Sequence, residues 1–105
     1  DSVRMTVAGL TIDPTTKAPI VLLRDERNKL RLPIWIGLLE ATSMATALEG
    51  IAMPRPMTHD LLKNLIVAFG GSVEAVEIAE LRENTYFAFI HVAIGGRPQR
   101  IDARP

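Results

Sequence analysis

At 105 residues, 48% of them hydrophobic, the chain suffices for one domain with a modest core and is too apolar to stay disordered. Twelve basic residues offset twelve acidic ones, so the overall field of a dedicated duplex binder is lacking and only local basic patches remain. Cysteine is absent, which excludes disulfides and thiolate chemistry and fits a reducing, cytoplasmic compartment; no apolar run approaches the ~18 residues of a membrane span.

Residues 3–12 carry Val3, Met5, Val7, Leu10 and Ile12 in loose alternation and predict a strand. Asp13-Pro14 breaks it, and a polar loop leads to a second strand at 19–24 around Ile20-Val21-Leu22-Leu23. A polar turn at 25–28 joins it to a third strand at 30–36, giving a hairpin. Pro33 lacks a ladder donor and marks an edge or a bulge.

A helix is expected over 38–49, burying Leu38, Ala41, Ala45 and Leu48, with Gly50 at its C-terminal end. Pro54 and Pro56 make the following connector stiff and non-helical. A second helix then starts at Thr58, whose hydroxyl suits an N-cap. Leu61, Leu62, Leu65, Ile66 and Phe69 recur at helical spacing and give it a face to bury, and Gly70-Gly71 stops it.

Residues 72–82 alternate but change phase midway, which predicts one bulge. Glu83-Asn84 turns the chain into a strand at 85–94 rich in strand formers, and Gly95-Gly96 turns it into a last strand at 97–103. The order β-β-β-α-α-β-β-β predicts an α+β single domain with mostly antiparallel pairing.

The segment 55–65 concentrates usable side chains. Arg55, His59, Asp60 and Lys63 gather at a helix start, where free N–H groups and the macrodipole favour an anion. Arg55, between two prolines, is conformationally restricted and suits a fixed contact. No Gly-rich phosphate loop, nucleophile elbow or paired-Cys motif is present, which argues against kinases, dehydrogenases and α/β-hydrolases.

Leu32-Pro33-Ile34-Trp35-Ile36-Gly37, Glu40-Ala41, Ala47-Leu48-Glu49-Gly50, Arg55-Pro56-Met57-Thr58-His59-Asp60-Leu61-Leu62 and Asp102-Ala103-Arg104-Pro105 together resemble the bifunctional nuclease domain family. The resemblance covers almost the whole chain, with its motifs in order. It implies an α+β fold and hydrolysis of RNA and DNA with little sequence preference. Two departures stand out: the family usually continues after Asp-Ala-Arg-Pro with a further helix, and Leu38-Leu39 replaces its usual Pro-Phe or Asn-Phe pair.

A nuclease of this kind implies carboxylates for Mg²⁺ or Mn²⁺, a group to activate water and cations for phosphate, with no organic cofactor. Asp60, Glu40 and Asp102 are the carboxylates within the family-like motifs and the expected metal ligands. His59, with Asp60 and Glu40, completes the expected catalytic set, and Arg55, Lys63 and Arg104 are the expected phosphate contacts.

Plainer roles stand beside these. Asp60 and Glu40 each suit a first helical turn for its own stability, and Asp102 could pair with Arg104. His59 could be a surface residue and Lys63 an exposed helix residue. No second histidine lies at zinc-site spacing from His59. Trp35 could stack a base but suits a core or a dimer interface better. His91, within an apolar strand, reads as a half-buried structural residue. A non-catalytic interaction module is the alternative function, and nucleic acid is the expected partner of the first. Pro33 on an edge and an uncovered sheet predict a homodimer or larger homo-oligomer, with no membrane partner.

Overall fold

The computed structural model describes residues 2–105. Among the described residues, two helices accompany six strands that form two antiparallel three-stranded sheets, in the order β-β-β-α-α-β-β-β, an α+β fold as the sequence predicts. Backbone contacts divide the chain into two compact units, Asp1–Ala52 and Met53–Pro105.

The first unit holds β1 (Met5–Ile12), β2 (Pro19–Asp25), β3 (Arg31–Trp35) and α1 (Leu38–Leu48). The central strand β2 pairs with β1 and β3, so Pro33 does lie on an edge strand. Leu10, Val21 and Ile34 stand opposite one another across the three strands and share one face; Val21 and Ile34 are buried. α1 approaches this unit's sheet through small residues. Ala41 is buried and Ala45 half-buried, while Leu38 and Leu48, expected on the same inward face, are exposed. Thr42, Ser43 and Thr46 donate their hydroxyls to carbonyls four residues back, so the polar residues of the helix are locally satisfied. Gly50 follows the C-cap Glu49 with φ 68°, a left-handed conformation that glycine adopts without a Cβ penalty.

The second unit holds α2 (Thr58–Ala68), β4 (Gly71–Arg82), β5 (Thr85–Ile94) and β6 (Arg97–Ala103). β5 is central, with Ala88 and Val92 almost without exposure at 0% and 2%. Both hairpin turns have two consecutive residues at positive φ, Glu83-Asn84 and Gly95-Gly96, the backbone that matches strand twist.

β4 contains two bulges rather than the single one expected, between Val73 and Ala75 and between Ile78 and Glu80. Their effect is to keep two faces chemically distinct. Val73, Val76, Ile78 and Leu81 stand opposite Val92, Ile90, Ala88 and Tyr86 on an apolar face. Ala75, Glu77, Glu80 and Arg82 stand opposite His91, Phe89, Phe87 and Thr85 on a polar one. A strictly regular strand would have put glutamates among the valines.

Candidate functional site

The start of α2 differs from expectation in one detail. Thr58 is the first helical residue and Met57 the N-cap. The Met57 N–H donates to Asp60 Oδ2 at 2.9 Å. His59 Nε2 lies 3.6 Å from Asp60 Oδ1, beyond hydrogen-bond reach but within ion-pair range when the ring is protonated. Arg55 and Lys63 are exposed on the same stretch of chain. Of these four, His59 and Asp60 are the pair that approach each other; Arg55 lies in the connector before α2 and Lys63 in its second turn. The apolar face of α2 is not buried: Leu61, Leu62 and Leu65 are exposed, Phe69 is 76% exposed, and only Ile66 is half-buried.

Asp102 and Arg104 belong to another part of the same unit. They line a shallow depression of about 320 Å³ with Thr85, Tyr86, Phe87 and Ala103, at the end of the β5–β6 hairpin away from its turn. Glu40 lies in the first turn of α1, in the first unit, and its carboxylate folds back against Gly37, where an added Cβ would meet Oε1 at 2.7 Å. That position is the helix-stabilising one. Among the described residues, no three His, Asp or Glu side chains lie close enough together to hold one ion.

Trp35 is not a core residue of this chain. It is 54% exposed, and its Nε1–H donates to Asp13 Oδ2 at 3.0 Å. That bond, followed by those from the Thr15 and Thr16 backbone N–H groups, holds the Asp13 carboxyl below its ordinary value.

The polar face of the second sheet was not read as a site from sequence. His91 Nε2 lies 2.8 Å from Glu77 Oε1, with both side chains partly exposed. An ionised carboxylate only accepts, so Nε2 is the protonated, donating nitrogen of the His91 ring. The Arg100 guanidinium sits 4.0 Å from the centre of the Phe89 ring, and that of Arg82 4.2 Å from Phe87. The alternation Phe87, Phe89, His91 along one strand was the available signal.

The sequence profile of the Bifunctional nuclease domain matches residues 21–105, most of the chain. The chain belongs to the bifunctional nuclease domain family. Among its relatives is an uncharacterised protein of Mycobacterium tuberculosis, 39% identical over 99 residues that make up 94% of this chain and 58% of the relative. A protein named Bifunctional nuclease 1 in Oryza sativa is 29% identical over 89 residues, 82% of this chain and 27% of that protein. The chain therefore spans little more than half of the mycobacterial relative and about a quarter of the rice one. No helix among the described residues is long and apolar enough to cross a membrane.

Proposed function

We propose that this bifunctional nuclease domain hydrolyses phosphodiester bonds of RNA and DNA with little sequence preference. The observation that carries this is the family match over residues 21–105, which spans Glu40, Arg55, His59, Asp60, Lys63, Asp102 and Arg104. Arg55 and Lys63 hold the phosphate over the first-turn N–H groups of α2. His59 takes a proton from water, the water oxygen attacks phosphorus, one P–O ester bond breaks, and the proton passes to the departing alkoxide. Asp60, whose Oδ1 lies 3.6 Å from His59 Nε2, stabilises the imidazolium that forms. Arg104, in the depression with Asp102, contacts the strand farther along.

Mg²⁺ or Mn²⁺ enters as a requirement to be measured rather than as a step. Asp60 is committed through Oδ2 to the Met57 N–H, and the three-donor convergence an ion needs is not formed among the described residues. The domain works in the cytoplasm as a homodimer or larger homo-oligomer.

Cleavage of fluorescent RNA and DNA in Mg²⁺, Mn²⁺ and EDTA tests this, with His59→Ala and Asp60→Ala prepared identically. Activity should fall by about two orders of magnitude or more in His59→Ala while the fold is retained. Activity that survives both substitutions removes the α2 start from the reaction. The 3.6 Å His59–Asp60 separation favours one second reading, a non-catalytic interaction module. Absence of cleavage from a full-length protein would select it.

A further inference from the structure

Phe87, Phe89 and His91 project from one face of the central strand β5, with Glu77 and Glu80 beside them on β4 and Arg100 and Asp102 on β6. Two of the three carboxylates are engaged: Glu80 with Arg82 at 2.7 Å and Glu77 with His91 at 2.8 Å. Arg100 has no carboxylate partner among the described ion pairs and rests on Phe89 instead. A guanidinium held over an aromatic ring offers a flat cationic surface on which a base can stack, or a charge that swings to a phosphate as the base takes the ring. Arg104, in the depression at the strand end, supplies a second cation on the β6 side.

Spacing selects the form of the nucleic acid. Residues two apart on a strand are about 7 Å apart, whereas bases stacked in a duplex repeat at about 3.4 Å. Phe87 and Phe89 can therefore each take a base only from a strand that is unstacked and splayed.

We propose, resting on the nucleic-acid reading above, that the polar face of the β4–β5–β6 sheet binds single-stranded RNA or DNA. Bases stack at Phe87 and Phe89, and phosphates follow Arg100 on β6 and Arg104 just past its end. Asp102, opposite Phe89 and between those arginines, opposes the phosphates and keeps binding weak enough for release.

The test is fluorescence anisotropy of labelled 12-nucleotide oligo-U and oligo-dT, and of a duplex of the same length, in EDTA at low salt. Cleavage is followed in parallel on the same preparations. Single strands should bind more tightly than the duplex. Phe89→Leu, which keeps the apolar volume, and the surface change Arg100→Gln should each weaken single-strand binding about tenfold. Asp102→Asn should strengthen it, whereas a carboxylate required for an ion would instead be missed in cleavage. Binding unchanged in both Phe89→Leu and Arg100→Gln, a duplex preference, or no binding at all would overturn the proposal. So would a change in oligomeric mass in place of affinity, which would make the face a contact between copies. Cleavage with unchanged affinities would retain the nuclease and discard this face. Face-dependent binding without cleavage would retain the face and discard the nuclease.

Discussion

Asp13 and Trp35, twenty-two residues apart, are joined by a side-chain hydrogen bond whose pH dependence has a definite sign. The carboxyl is held below its ordinary value, first by the indole N–H and then by the Thr15 and Thr16 backbone N–H groups. Its contribution to stability is fully present above about pH 4, where the unfolded carboxyl is also ionised, and is lost as pH falls through the lower folded value. Trp35 is the chain's one tryptophan, so its fluorescence should report an acid transition below the usual carboxylate range. Asp13→Asn should abolish that transition; an unchanged titration would show that the indole does not sense Asp13. At the other end of the residue scale, Asp60 has a structural duty whatever its chemistry. Asp60→Ala removes the oxygen that accepts the Met57 N–H and should cost about 1 kcal/mol in denaturant unfolding. Activity in that variant must therefore be read against its melting curve.

Among the elements, strands and turns were more legible than helix surroundings. The strands 85–94 and 97–103 were bounded to the residue, because paired turn residues close both hairpins and alternation fills them. Helix positions were also readable, but not what covers them: Leu38, Leu48 and Leu62 have the spacing of buried residues and are exposed here. Periodicity gives a face; it does not supply the partner for it. The same limit hid the Glu77–His91 pair, since residues fourteen apart meet only once the register between strands is known. Thr58 falls one residue inside the helix, so the N-cap position belongs to Met57, and Asp60 instead accepts the N–H of that cap residue. At the junction of α2 and β4, Gly71 is fixed by packing. An added Cβ would come within 3.0 Å of both the Ile66 side chain and its carbonyl oxygen, and 3.3 Å of Ile94. Gly71→Ala should lower stability by about 1–3 kcal/mol in chemical denaturation, since a backbone oxygen cannot swing aside. A neutral substitution would mean that α2 shifts freely on its sheet.

At the scale of the whole chain, exposed apolar surface is the informative feature: Leu38 and Leu39 on α1 and Leu61, Leu62 and Phe69 at α2 are all exposed. Self-association through these helix faces is the expected outcome, measured by light scattering across a concentration series. Leu62→Glu with Phe69→Glu should shift the mass toward the monomer. A wild-type monomer at high concentration would contradict it.

The two bulges of β4 have a consequence for how the strand can change length. With Glu74 and Ala79 left out, the remaining residues from Val73 to Arg82 alternate strictly between the apolar and polar faces. These two residues are therefore slack in the strand. Deleting either should straighten β4 without moving a valine to the polar face or one of the paired glutamates to the apolar one, so a codon lost there is one the fold can absorb.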